Sequence, residues 1–345
     1  MKKLNWIEKL LYIVNSLLAL LLLLSYLLPY ISPKIFPLLS LLSLVVPVLI
    51  VMNILFVLYW IVKLKRQFLL SVIVLLIGFK IVGAFVRISE KKVLLNNDLK
   101  IMSYNVRLFN IYNWKPESSD SIKNNIVDFI YNKDPDIVCF QEFVTDYSDS
   151  FKYKYRFVNN RNANNKKIRF GQAIYSKYKI INSGAINFES RTNNAIYADI
   201  VKERDTFRVY NVHLESQKIQ LNKENFGEKN SEKLRIRMQN TFKKQAEQAV
   251  KLYENEKECK YKIIICGDFN NTAFSWVYNK LKGSKIDAFV EAGYGFGKSY
   301  DYILPARIDF IFADDFFEIN NFKTYAVDFS DHYPIMARLN ISKNN

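Results

Sequence analysis

Two histidines serve a chain of 345 residues, and each stands where a short apolar run meets polar side chains. His213 lies in Tyr210-Asn211-Val212-His213-Leu214-Glu215-Ser216, and His332 in Ser330-Asp331-His332-Tyr333-Pro334. A third run, Ile263-Ile264-Ile265-Cys266-Gly267-Asp268-Phe269-Asn270, ends in a carboxylate and an amide two residues apart, so an extended chain turns Asp268 and Asn270 to one face. Asn105 and Arg107 close Ser103-Tyr104-Asn105-Val106-Arg107, Glu142 closes Cys139-Phe140-Gln141-Glu142, and Asp309 sits in Arg307-Ile308-Asp309-Phe310-Ile311. Hard oxygen donors together with two imidazoles are what metal-assisted attack of water on a phosphoester requires. Mg2+ suits that donor set, because it takes one or two carboxylates along with phosphate oxygens and water; Mn2+ is the alternative cofactor. Each residue alone has a plainer use: Asn105 and Asn270 as turn caps, Asp309 as an ion-pair partner of Arg307, Asp331 as a loop cap. Their collection at several strand ends favours the chemical reading.

The elements that must deliver these groups follow from periodicity. Strands are expected at Asp98–Val106, Asp136–Gln141, Tyr155–Val158, Arg169–Tyr175, Ala195–Val201, Phe207–His213, Tyr261–Cys266, Arg307–Ala313 and Pro334–Leu339. A helix is expected at Ser121–Tyr131. Glu232–Glu254 switches to helical spacing, with Leu234, Met238, Phe242, Ala246, Ala249, Val250 and Tyr253 on one face. Many strands, few helices and no regular alternation predict an α/β sandwich of two packed sheets with helices outside. No CxxC pair or disulfide framework is evident among Cys139, Cys259 and Cys266.

The chain divides in composition near residue 92. Leu10–Tyr30, Ile35–Val62 and Phe68–Val86 are each apolar and long enough to span a bilayer, which predicts three transmembrane helices in a membrane region at 1–92 and a catalytic domain at 93–345. A signal peptide is the competing reading of the basic start, but the first apolar run is too long for one and no small-residue cleavage site follows it. Lys63, Lys65 and Arg66 between the second and third segments mark a cytoplasmic loop, although Arg87, Lys91 and Lys92 oppose that polarity. The expected location is the inner membrane, with the domain after Arg87 on the extracytoplasmic side. Of the net charge of +16, the membrane region carries eleven Lys or Arg against Glu8 and Glu90, leaving +7 on the remainder, a surface that favours polyanions or anionic headgroups.

Taken in order, Asn105-Val106, Gln141-Glu142, Asn211-Val212-His213-Leu214, Gly267-Asp268-Phe269-Asn270, Arg307-Ile308-Asp309-Phe310-Ile311 and Ser330-Asp331-His332-Tyr333-Pro334 resemble the motifs of the endonuclease/exonuclease/phosphatase superfamily. The resemblance spans Leu99–Leu339 and implies a four-layer α/β sandwich with Mg2+-dependent phosphoester hydrolysis. It further implies Glu142, Asn105 and Asp331 as metal ligands, and Asp268 as the group that orients or deprotonates the attacking water. Asn270, His213 and His332 would contact the phosphate, with Asp309 orienting His332. Arg107 stands where exonuclease III-like members carry an acid. That departure points to the deoxyribonuclease-like pattern, in which the Arg contacts phosphate.

Substrate is the least determined property. The basic domain, Arg107 and the loop from Arg161 to Arg169 favour nucleic acid, while tethering to the bilayer through residues 10–88 favours a lipid headgroup, as in sphingomyelinase-like or inositol phosphate phosphoesterases. A non-catalytic, membrane-tethered scaffold is the reading from another class.

Overall fold

The computed structural model describes residues 4–160, 169–190, 192–217, 228–301 and 306–341. Most of the basic loop expected at 161–169 lies outside these residues. The chain forms two compact bodies, Met1–Val86 with Ile219–Ala246 and Asn271–Asn279, and Arg87–Lys218 with Glu247–Asn270 and Lys280–Asn345.

In the first body, α1 (Trp6–Ser25) opens with a reciprocal cap. The Glu8 backbone N donates to Asn5 Oδ1 at 2.8 Å, and the Asn5 N donates to Glu8 Oε2 at 2.9 Å. Four helices follow: α2 (Pro37–Ser40), α3 (Val46–Val62), α4 (Phe68–Ile77) and α5 (Phe79–Phe85). The stretch Trp6–Tyr30 is apolar and long enough to cross a membrane unbroken. The second and third expected spans are both bent, by 54° between Pro37–Leu44 and Val46–Val62 and by 82° between Phe68–Ile77 and Phe79–Phe85, so three crossings result if each bent pair counts as one. Pro37 and Pro47 stand in the first turns of α2 and α3, where a missing N–H costs nothing and the helix begins afresh. Gly78 forms the second break, and a Cβ there would lie 2.1 Å from Tyr26 Cζ.

Three helices are joined by buried side chains. Trp60 Nε1 donates to Asn15 Oδ1 (2.9 Å), Asn15 Nδ2 to Ser71 Oγ (2.7 Å), Ser71 Oγ to Asn53 Oδ1 (2.9 Å), and Asn53 Nδ2 to the Leu49 carbonyl (2.9 Å). Hydrogen bonds of this kind fix how helices pack against one another. Asn271–Asn279 completes this body. Phe274 is buried among Ala19, Leu22, Tyr26 and Val46, Thr272 Oγ1 donates to the Ser43 carbonyl (3.0 Å), and Asn279 Nδ2 to that of Pro29 (3.0 Å).

The second body contains twelve strands among the described residues. In chain order the elements are β1 (Leu99–Asn105), α6 (Ser119–Lys133), β2 (Ile137–Val144), β3 (Tyr155–Asn160), β4 (Phe170–Ser176), β5 (Lys179–Ile186), β6 (Asn194–Lys202) and β7 (Asp205–His213). Then come α7 (Glu228–Lys257), β8 (Lys262–Asp268), α8 (Trp276–Lys282), β9 (Ile286–Asp287), α9 (Ala288–Ala292), β10 (Asp309–Ala313), β11 (Phe317–Thr324) and β12 (Ile335–Ile341). Part of α7 and part of α8 belong to the first body.

One sheet runs β11-β12-β1-β2-β4-β3 and the other β5-β6-β7-β8-β10-β9. Each holds one parallel pair, β1 with β2 and β7 with β8, in an otherwise antiparallel ladder. Ile101, Cys139 and Ile174 from one sheet and Ile196, Val209, Ile264 and Ile311 from the other share a core. On the outer face of the first sheet, α6 packs Ile122, Ile126 and Ile130 against Met102, Tyr104, Val138 and Phe140. Outside the second, Tyr210 Oη donates to Asn255 Oδ1 of α7 at 2.9 Å. These are the four layers of the expected α/β sandwich. The expected strands are all present among the described residues, while β5, β9 and β11 escaped sequence reading: β5 has no clean alternation of buried and exposed positions, and β9 is two residues long.

Candidate active site

Register assembles the site before any side chain is considered. His213 of β7 pairs with Asp268 of β8, and Asp268 with Asp309 of β10, so three functional groups form a row across adjacent strand ends. In the other sheet, Asn105 of β1 lies opposite Gln141 of β2. Glu142, one residue on, has φ 48° within an irregularity of the β2–β4 pairing between Phe140 and Phe143, which removes it from the regular ladder. Gly267 is required by crowding: with φ +143°, a Cβ would lie 2.0 Å from the Val212 carbonyl oxygen of β7.

The two sheets meet through hydrogen bonds at Asp268. Asn105 Nδ2 donates to Asp268 Oδ2 at 3.0 Å, while Asn105 Oδ1 accepts from the Arg107 N–H at 3.0 Å. Asn270 donates its backbone N–H to Asp268 Oδ1 (2.8 Å) and its amide to the Leu214 carbonyl (3.0 Å) and Asp268 Oδ2 (3.2 Å). His332 Nδ1 and Asp309 Oδ2 are 2.9 Å apart, and His332 Nε2 stands 3.6 Å from Asp268 Oδ2. His213 Nε2 lies 3.8 Å from both Glu142 Oε1 and Asp268 Oδ2. Asp331 Oδ2 pairs with Arg107 at 3.2 Å. Arg307 pairs with Asp287 at 2.8 Å, so Asp309 is committed to His332.

Charge in this cluster is unevenly distributed. Burial and the His332 charge hold His213 down at about 3, so it is neutral at pH 7. Burial works against a charged His332, but Asp309, Asp268 and Asp331 together raise it to about 10. Burial and the neighbouring Asp309 push Asp268 up to about 7 against the pull of His332. Glu142 is also raised, by burial and Asp331, against His332, Arg107 and Asn105. Asp309 Oδ1 is buried without a hydrogen-bond partner among the described residues. The cluster therefore holds one imidazolium, one neutral imidazole and carboxyl groups that outnumber its cations, two of them held back from ionisation.

Every sequence-singled site residue lies in the second body. Asn105, Asp268, Asn270, Asp309 and His332 form one connected network, His213 and Glu142 approach it at 3.8 Å, and Asp331 joins Arg107. Among the described His, Cys, Asp and Glu residues, Asp268, Asp309 and His332 form a group whose ligand atoms lie within 4.8 Å of one another.

Several supporting residues were missed. Ser299 Oγ accepts from the Ile308 and Asp309 N–H groups, both at 3.0 Å, and the neighbouring Tyr300 ring lies 4.9 Å from that of His332. Ser330 Oγ donates to the Asn105 carbonyl at 2.8 Å. Beneath the site, Gln141 Nε2 donates to Asn211 Oδ1 at 2.7 Å, linking the sheets. Gln141 and Asn211 sat in motifs already noted and could have been found there. Ser299 and Tyr300 lie in an irregular segment with no periodicity to mark them.

Residues 102–332 match the Endonuclease/Exonuclease/phosphatase family, and residues 8–85 match a domain of unknown function, DUF8431. No curated protein matches the chain. Among solved structures, a mannosyl-6-phosphatase from Bacteroides thetaiotaomicron is similar with a TM-score of 0.55 and 18% identity, covering 70% of this chain and 99% of that one. The catalytic domain of human Nocturnin follows with 0.55 and 17%, covering 74% and 97%. D. rerio TDP2 in complex with a single-strand DNA product gives 0.52 and 18%, covering 71% and 100%. At these identities the structures attest the fold, whereas the family match spans most of the chain. The chain thus belongs to the endonuclease/exonuclease/phosphatase family of phosphoester hydrolases.

Proposed function

We propose that this protein is a membrane-anchored, Mg2+-dependent phosphodiesterase. The observation that carries the reading is the row His213–Asp268–Asp309 closed by His332, in which acid, base and imidazolium occupy neighbouring strand ends. A hard divalent cation fits the carboxyl groups gathered here and the raised Glu142, whose ionised form it would favour. The family resemblance assigns it to Glu142, Asn105 and Asp331 rather than to Asp268, Asp309 and His332, and Glu142 does lie beside Asn105 and Asp331; bound there it would polarise the phosphoryl oxygen and neutralise charge developing there.

The protein's own groups divide the remaining work. Asp268, poised near neutrality, orients water and takes its proton, fixed in place by Asn105 and Asn270. His332 keeps its proton across the working range because Asp309 holds Nδ1, leaving Nε2 to donate to a phosphate oxygen. Neutral His213 and Arg107 offer further donors to the phosphate, and the Asn270 amide would join them on giving up its bond to the Leu214 carbonyl or to Asp268. The P–O bond to the leaving group breaks opposite the incoming water, in line, and the departing alkoxide takes its proton from solvent.

The reading is tested with full-length protein in detergent micelles. Turnover of a phosphodiester should require Mg2+ and stop with a chelator. Metal-independent turnover, or full activity after Glu142→Ala, would remove the assignment.

Anchoring rests on the unbroken apolar stretch Trp6–Tyr30 and the two bent pairs after it. With Lys63, Lys65 and Arg66 inside, the hydrolase lies on the extracytoplasmic face of the inner membrane. Reporter fusions after Arg87 decide this, and cytoplasmic reporter activity would reverse the orientation.

A further inference from the structure

Arg107, which pairs with Asp331, is covered on one face by an aromatic side chain: its guanidinium lies 4.5 Å from the Trp114 ring centroid. Trp114 in turn meets Tyr112 edge to face, at 5.3 Å and 65°. Both rings are largely in solvent, Tyr112 at 55% and Trp114 at 44% exposure.

The local backbone holds this corner rigidly. Arg107, Leu108, Phe109 and Asn110 all have positive φ, from 42° to 61°, a left-handed turn that ordinary residues adopt only when their surroundings impose it. Phe109 is fully buried against Phe143 and Tyr147. Asn110, also buried, closes the following loop by donating to the Lys115 carbonyl (3.2 Å) and the Glu117 carbonyl (2.6 Å) and accepting from the Lys115 N–H (2.9 Å).

Scattered exposed aromatics need no explanation. Two that meet each other, one of them lying over a guanidinium at the candidate phosphate site, are a different case. Hydrolysis at phosphorus makes no use of them, so their use must lie in the group attached to the phosphate. Exposed aromatic faces beside an arginine bind flat, π-rich rings by stacking and cation–π attraction, with little dependence on ring identity. An acyl chain has no matching face.

Resting on the phosphodiesterase reading, we infer that Tyr112 and Trp114 form a ring-stacking subsite. It selects phosphodiesters whose alcohol carries a heteroaromatic ring, a single-stranded nucleotide chain, over ring-free and lipid phosphodiesters.

The test uses the full-length protein in micelles with Mg2+ and compares a single-stranded DNA oligonucleotide, glycerophosphocholine and sphingomyelin. For Trp114→Ala and Tyr112→Ala, KM for the oligonucleotide should rise about tenfold more than KM for glycerophosphocholine, and Trp114→Phe should recover most of that difference. Equal losses on both substrates would make the pair a mere support for Arg107 and overturn the inference. So would no loss at all, or a loss confined to sphingomyelin, which would place the rings at a bilayer surface. A second readout needs no turnover. With chelator present, the oligonucleotide should quench the fluorescence of Trp114, one of four tryptophans in the chain, and Trp114→Phe should remove that quenching. Quenching without hydrolysis of any substrate would overturn the phosphodiesterase reading and leave the subsite standing; hydrolysis without quenching would do the reverse.

Discussion

Both bodies bury clusters of polar side chains, and the clusters are built to opposite rules. In the helical body, Asn15, Asn53, Trp60 and Ser71 are neutral and their hydrogen bonds run in one chain from Trp60 Nε1 to the Leu49 carbonyl. In the sandwich, Glu142, Asp268, Asp309 and His332 are ionisable, two carboxyls are raised, and one buried carboxylate oxygen lacks a partner. A satisfied neutral network specifies how helices pack. An unsatisfied charged one is costly to the fold and is retained where a ligand or reaction completes it. Burial of polar groups therefore does not by itself mark function; the gathering of ionisable groups at adjacent strand ends, one of them incompletely paired, is what sets the second cluster apart.

The largest expected effects strike the charged cluster. Glu142→Ala and His332→Ala should each lower kcat/KM by about a thousandfold or more, within the usual cost of removing an electrostatic or proton-transfer group. Asp309→Asn should cost less, since the imidazole remains but its partner no longer holds the proton. Steady-state kinetics on a phosphodiester with saturating Mg2+ measures all three. A ranking with Asp309→Asn the most severe would show that the acid, not the imidazole, meets the substrate.

The same cluster should respond to pH. His332 is raised from an ordinary imidazole value near 6.5 to about 10, so its stabilisation is complete below about 6.5 and is lost as pH rises toward 10. Thermal unfolding of metal-free protein should show this decline, and His332→Asn should flatten it. A decline that survives the substitution belongs to another group.

Gly267→Ala should destabilise the sandwich by about 3 kcal/mol or more, from strain at φ +143° together with the 2.0 Å approach to the Val212 carbonyl oxygen. Chemical denaturation measures it. The smallest effect belongs to the neutral cluster. Asn15→Leu should cost about 1 kcal/mol, because Trp60 and Ser71 each lose one bond, and turnover per folded molecule should not change. A large loss of turnover in Asn15→Leu would erase the contrast between the clusters.

Much of the site was legible because strand-end motifs report chemistry and direction together. The Ser330-Asp331-His332 motif delivers an imidazole to the site, and Asp268 ends β8 as read, whereas Asn270 does not continue the strand: its φ of 49° turns the chain, so it meets Asp268 through its own backbone N–H and amide rather than by sharing a strand face. Ser299 was not legible, since a hydroxyl that accepts two backbone N–H groups is defined by where an irregular segment passes. Breaks in the apolar segments were half legible. Pro37 and Pro47 announced restarts, but nothing local told that Gly78 would face Tyr26.

Sequence by itself determined the residue types, the apolar lengths and the alternation that sends each side chain to one face of its strand, because these depend on covalent geometry and local periodicity. Tertiary structure alone decided which strand ends became neighbours. Parallel pairing of β7 with β8 and antiparallel pairing of β8 with β10 set His213, Asp268 and Asp309 in one row. Burial then holds His213 neutral, while Asp309, Asp268 and Asp331 outweigh burial at His332 and keep it charged, although the free side chains are chemically identical. Desolvation and the nearest carboxylate act only after distant segments have been brought together, and that is why the division of labour between the two histidines could not be read along the chain.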